Sequence, residues 1–182
     1  MAETMDRGPH DWDLLAVAAQ DDAALRQLFE RHRHYVYRLA WGLLREDQAA
    51  DDVVQEVFLK IRSGRVKARR RARFTTWLYQ VGLNTAREQG RKRRRMWGDA
   101  DAATALRDRA DAHSDHARLE TLEDLSHALG ALAGRQREVV LLRLMEGFDT
   151  TETAKILGCR EGTVKAHLHR ATLKLREIIT QT

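Results

Sequence analysis

The stretch EGFDTTETAKILGCREGTVKAHLHRATLKLR, residues 146–176, decides the fold. Asp149 followed by Glu152 has capping-box spacing, with Asp in place of the usual Ser or Thr. Ala154, Ile156 and Leu157 give the helix that follows a short apolar face. Gly158 then supplies a residue that tolerates positive φ, as a tight turn between two helices needs. A second helix carries Val164, Leu168, Ala171 and Leu175 along one stripe. Its other faces hold Arg160, Glu161, Thr163, Lys165, His167, His169 and Arg170, side chains that reach phosphates and base edges in a major groove. Glu161 can accept a hydrogen bond from a cytosine amine, and Arg160 or Lys165 can donate to guanine or to phosphate. A charged helix alone is more often a solvated face. Cap, turn glycine and apolar stripe together favour a DNA-reading helix-turn-helix.

Working outward, Leu122, Leu125, Leu129 and Leu132 mark one helix ahead of this unit, and Val139, Val140, Leu142 and Leu144 mark another. Gly98 to Asp115 is rich in Ala and Asp and weakly periodic, as a linker is. Near the N-terminus, Trp12, Leu15 and Val17 form a short helical pattern. Asp21 and Asp22 offer an N-cap for a long helix with Leu25, Leu28, Phe29, His32, Val36, Leu39, Ala40 and Leu43 at three-and-four spacing. Arg45 to Gln48 reads as a short connection. A third helix follows with Val53, Val54, Val57, Phe58 and Ile61 on one side, and Asp51 and Asp52 in its first turn, where acids are favoured. Ser63 to Arg73 reads as a basic loop. Thr75 or Thr76 can cap a fourth helix whose inner face includes Trp77, Leu78 and Val81. The expected fold is all-α, with two small helical domains (residues 1–96 and 119–182) joined by a linker over 97–118.

Composition agrees with this reading. The chain has 182 residues, 43% hydrophobic and 32% charged, enough for two small helical domains. Its one proline is Pro9, so nothing downstream interrupts a helix. The net charge of +5 suggests a polyanionic partner. Between Lys60 and Arg95 the only acid is Glu88. The lone cysteine, Cys159, excludes an intramolecular disulfide. His113 and His116 lie close in sequence, as do His167 and His169, but a zinc site usually needs three or four convergent ligands. No Gly-rich phosphate loop occurs. No enzyme activity, catalytic residue, cofactor or metal is therefore expected. No signal peptide and no apolar run long enough to span a bilayer is present, so a cytoplasmic location without membrane insertion is the expectation.

The segment RFTTWLYQVGLNTAREQGRKRRR, residues 73–95, sets Trp77 and Tyr79 beside Asn84 and a dense run of Arg. Aromatics with cations suit single-stranded nucleic acid, where bases stack and phosphates are neutralised. Trp77 taken alone is better read as core, whereas so one-sided an Arg run is more often a phosphate-binding surface.

Here the chain resembles the sigma-70 factors, and more narrowly their extracytoplasmic-function class. DDAALRQLFERHRHYVYRLAWGLL and AADDVVQEVFLK are similar to the polymerase-binding part of that family. FTTWLYQVGLNTAREQGRKRRR is similar to its promoter-melting helix. LGALAGRQREVVLLRLMEGFDTTETAKILGCREGTVKAHLHRATLKLRE is similar to its −35-binding domain. The resemblance implies that Asp51, Asp52, Gln55 and Glu56 meet the β′ clamp helices of core RNA polymerase, with the β flap as a further contact. It implies that Arg73, Trp77, Asn84, Arg87 and Arg91 serve the −10 element as a separated strand. Promoter DNA and an anti-sigma factor are the other implied partners. Ala133 stands where the family usually has proline, Glu88 where Asp is common, and Arg160 where a Ser-like cap is usual. Two rivals remain: a DNA-binding regulator that never touches polymerase, which would not need the first domain, and an inactive homologue that titrates a partner.

Overall fold

The computed structural model describes residues 9–66, 72–97 and 125–181, and every regular element among them is a helix. In chain order these are α1 (Pro9–Val17), α2 (Asp22–Leu44), α3 (Asp47–Arg62), α4 (Phe74–Trp97), α5 (residues 125–131), α6 (Gly134–Val140), α7 (Thr150–Leu157) and α8 (Glu161–Gln181). The expected linker beyond Trp97, with residues 119–124 and Leu122 among them, lies outside the described residues. So do residues 67–71 of the basic loop.

The first half is built on α2, which packs against α1, α3 and α4. Its N-cap is Asp21, whose carboxylate accepts from the amides of Ala23 and Ala24 at 2.8 and 3.2 Å. It ends at Arg45 in the left-handed region, φ 57°, with the Arg45 amide bonded to the Trp41 carbonyl. The connection is shorter than expected, only Arg45 and Glu46, so α3 starts at Asp47. Asp51 and Asp52 therefore fall in its second turn, and Asp47 occupies the first and accepts from the Tyr37 hydroxyl at 2.8 Å. Likewise α4 starts at Phe74, which puts Thr75 and Thr76 inside the helix as buried residues and not at its cap. Leu28, Val53, Val57, Leu78 and Trp77 form the core of this half.

A polar latch fastens α1 to α2. Asp11 is 1% exposed, accepts from Arg31 at 2.9 Å and lies 3.1 Å from Nε2 of His32. Burial alone would raise the Asp11 carboxyl, but His32 and Arg31 outweigh it and hold the group below its ordinary value. A depressed carboxyl adds stability that is present above its unfolded pKa and lost as pH falls through the folded one. Asp11→Asn is expected to be less stable than the parent at about pH 5, with the gap closing as pH falls below about 4. Chemical denaturation across that range checks this, and a gap independent of pH would count against the ionic account.

In the second half, Ala133 takes an extended, proline-like conformation (φ −60°, ψ 149°) at the start of α6. Its amide donates to Oε1 of Gln136 at 3.2 Å, a bond that proline could not make. The expected single helix through Leu144 is corrected: α6 loosens into a π-helical turn over Leu141–Met145. The extra residue in that turn leaves Leu141 and Leu142 buried and turns Leu144 out to solvent, 59% exposed.

The two halves meet along α2 and α4. Leu39, Tyr79 and Leu83 join Leu129, Leu141 and Phe148 in one apolar cluster. Leu141 enters a notch at Gly42, where an added Cβ would lie 2.4 Å from Leu141 Cδ2. Tyr79 meets the Phe148 ring edge-on at 4.7 Å.

Candidate nucleic-acid interface

The helix-turn-helix forms as its sequence signals require. The Glu152 amide donates to Asp149 at 2.7 Å, and the Asp149 amide donates back to the Glu152 carboxylate at 3.2 Å. Gly158 closes α7 with φ 66°. Val164 and Ala171 are fully buried, and Leu168 and Leu175 pack beside them, so α8 lies with its apolar stripe on α6 and α7.

That orientation turns Arg160, Glu161, Thr163, Lys165, His169 and Arg170 outward together. Among the described residues, Arg160, Lys165 and Arg170 enter no ion pair. The Glu161 carboxylate accepts from the Thr151 hydroxyl at 2.8 Å, which ties the first turn of α8 to the first turn of α7. His167 stands apart. It is half-buried, and its Nδ1 atom is shielded from solvent.

The second candidate surface lies on α4. Asn84 and Arg91 are exposed. Trp77, by contrast, is 4% exposed and packs against Phe74 and Trp12 at ring distances of 5.4 and 5.5 Å. It belongs to the core in this arrangement and offers no stacking face. Lys60 and Lys92 flank Glu88 and hold its carboxyl below the ordinary value.

Arg73 and Arg87 are both engaged by acids from the other half. Arg73 pairs with Glu152 at 3.2 Å. Arg87 grips Glu138 through Nε at 2.7 Å and Nη2 at 2.8 Å, a two-pronged contact on a carboxylate that is 6% exposed. Asn84 joins this network, its side-chain carbonyl accepting from Arg87 at 3.4 Å. A similar arrangement surrounds Glu146, which accepts from Arg38 at 3.2 and 2.6 Å and from the Tyr79 hydroxyl at 2.5 Å. Burial and the Glu146 carboxylate push the Tyr79 hydroxyl up, so it stays a neutral donor. Glu138, Glu146 and Arg38 carry no signal in local sequence that would single them out.

The third candidate surface is on α3, where Asp51, Asp52 and Gln55 are exposed and Glu56 is half-buried within 3.7 Å of Lys60. Among the described residues, no three His, Cys, Asp or Glu side chains converge as metal ligands, and no helix is long and apolar enough to cross a membrane. His113 and His116 lie outside those residues.

Against known proteins, residues 28–96 match the family model for sigma-70 region 2, and residues 122–175 match the one for sigma-70 region 4. The chain is 32% identical to the ECF RNA polymerase sigma factor SigM of Mycobacterium tuberculosis, over 93% of this chain and 84% of that protein. It is 31% identical to the RNA polymerase sigma factor CarQ of Myxococcus xanthus, over 88% and 91%. Among solved structures, it resembles CnrH in complex with the cytosolic domain of CnrY, with a TM-score of 0.71 and 27% identity over 94% of this chain and 98% of that one. It also resembles the sigma factor RpoE in complex with the anti-sigma factor NepR from Bartonella quintana, with a TM-score of 0.69 and 26% identity over 85% and 96%.

Proposed function

The chain belongs to the sigma-70 family, in its extracytoplasmic-function class, and from that premise we propose how its residues divide the work of initiation. It binds core RNA polymerase and directs promoter recognition, strand opening and transcription initiation. In the proposed division, residues 1–96 bind polymerase and the −10 element, 97–118 link, and 119–182 bind the −35 element. α8 enters the major groove with Arg160, Glu161, Thr163, Lys165, His169 and Arg170, and His167 supports it from the inner side. Arg73, Asn84, Arg87 and Arg91 on and beside α4 take the separated strand, and Trp77 joins them if α1 moves away. Asp51, Asp52, Gln55 and Glu56 meet the β′ clamp helices, the −35-binding half meets the β flap, and an anti-sigma protein restrains the factor. The likeness to RpoE, whose structure is with the anti-sigma factor NepR, supports that last partner.

The observation that carries the reading is the outward set at α8, five residues of groove-reading type on a helix whose opposite stripe is buried, with Arg160 exposed just ahead of its first turn. The α3 acids extend the reading to polymerase, because Asp52 and Gln55 are exposed while their neighbours Val53, Val54 and Val57 are core. Mixing the full chain with bacterial core polymerase on a sizing column tests it. Co-elution is expected for the parent and is expected to be lost in Asp52→Ala/Gln55→Ala. Co-elution that survives in the double variant would move the contact off α3. No co-elution of the folded parent would favour a stand-alone DNA-binding regulator.

A further inference from the structure

We propose that Thr151 is a specificity-determining positioning residue: by holding the Glu161 carboxylate at the start of α8, it makes Glu161 a reader of cytosine. This rests on the assignment of α8 to the major groove. Thr151 is the second residue of α7, and Glu161 is the first residue of α8. Both are exposed, yet the Thr151 hydroxyl donates to Oε1 of Glu161 at 2.8 Å. The Thr151 end of this bond is rigid. The reciprocal bonds between Asp149 and Glu152 fix the backbone around it, and Thr153 is fully buried two residues on. A branched Cβ also limits the hydroxyl to few rotamers. The Glu161 end has no such restraint of its own, since a glutamate on a helix surface is rich in rotamers. Lys165 lies one turn on, at the spacing that pairs a glutamate with a lysine. Among the described residues Glu161 nonetheless enters no ion pair, and its carboxylate turns to α7 instead.

An ionised carboxylate only accepts hydrogen bonds. Thr151 occupies Oε1, and Oε2 has no partner among the described residues. Held in that place, Oε2 suits the N4 amine of cytosine and is repelled by the N7 and O6 acceptors of guanine and the O4 acceptor of thymine. Adenine sets its N6 amine beside the N7 acceptor, so it suits a lone carboxylate less well than cytosine does. Rejection matters as much as attraction, because a carboxylate free to swing into solvent escapes an unfavourable base at little cost. The helix dipole also favours an acid in the first turn of α8, but it acts on the charge and requires no particular hydroxyl.

Selection from a pool of duplexes randomised over about 10 base pairs, one helical turn, tests this with the full chain and its variants Thr151→Val, Thr151→Ser and Glu161→Ala. Sequencing of the bound fraction reads the preference at each position. Thr151→Val keeps the shape of the side chain and removes the donor, whereas Thr151→Ser keeps the donor. The parent is expected to enrich cytosine at one position about tenfold over guanine or thymine. Glu161→Ala is expected to flatten that position, Thr151→Val to lower its preference to about threefold or less, and Thr151→Ser to keep it. Preferences at the other positions are expected to stay as in the parent. A cytosine preference lost in Glu161→Ala but kept in Thr151→Val would overturn the positioning role and leave the assignment of α8 standing. Loss of preference at every position in Thr151→Val would also overturn it, since the bond would then serve only to hold α7 on α8. An unaltered profile in Glu161→Ala would remove Glu161 as a reader and the proposal with it. A parent with no preferred position would do the same, and would place the failure in the assignment of α8 to the groove.

Discussion

Replacing Arg137 with Ala is expected to lower the stability of this sigma factor by about 3 kcal/mol, more than loss of any other arginine. Its guanidinium donates to four main-chain carbonyls: Leu129 at 2.7 Å, Leu43 at 2.9 Å, Leu132 at 3.1 Å and Gly130 at 3.2 Å. Three of these close the end of α5 and one closes the end of α2. Carbonyls at helix C-termini lack partners within the helix and carry partial negative charge, so a cation there serves both needs. Burial, with Arg45 and Arg94 nearby, pulls the Arg137 pKa below its ordinary value, yet guanidinium stays charged at neutral pH. Each charge-assisted bond contributes about 1.5–3 kcal/mol, but the four share one side chain and the freed carbonyls partly rehydrate. Hence the total falls well below their sum.

For a chain of this length the loss corresponds to a melting temperature lower by about 6–12 °C. Arg137→Lys is expected to recover less than half, because an ammonium lacks the planar fork that spans two helix ends. Thermal and chemical denaturation of both variants checks this. A loss under about 1 kcal/mol would mean that water replaces the guanidinium at those carbonyls.

Removing two cations from α8 is expected to have the largest effect on function. Lys165 and Arg170 are exposed, and among the described residues no acid holds them. Each phosphate contact that neutralises a charge releases counterions, so Lys165→Ala/Arg170→Ala is expected to bind a random-sequence duplex at least about tenfold more weakly at about 0.1 M salt. The slope of log affinity against log salt is expected to become shallower by about 2. Stability should barely change, since both side chains lie in water. A lower affinity with an unaltered slope would mean that these residues act on base edges and not on phosphates. No change in either would move the duplex contact to another face.

How far the sequence carried the fold depends on the range of each signal. The Asp149–Glu152 box and the Asp21 cap act over three residues, and Gly158 acts at one, so all are legible and all form. Helix starts were less legible. Asp47, Asp51 and Asp52 are all plausible acids for a first turn, and the αL conformation of Arg45 selects the earliest by ending α2 abruptly. The π-helical turn at Leu141–Met145 was missed because it is a departure from period that tertiary packing imposes. It lets Leu141 reach the Gly42 notch and Glu146 reach Arg38.

The sequence by itself determined the all-helical class, the helix-turn-helix, the outward set on α8 and the family. Each of these rests on spacing within a helix turn or on short motifs. The tertiary structure alone decided that Arg137 closes two helix ends, and that the halves pack with Glu138 on Arg87 and Glu146 on Arg38. Those partners lie 51 and 108 residues apart. Charge is plentiful throughout this chain, so local pattern gives each arginine many eligible acids. Only packing, which excludes water from a few of those pairs, selects the ones that hold.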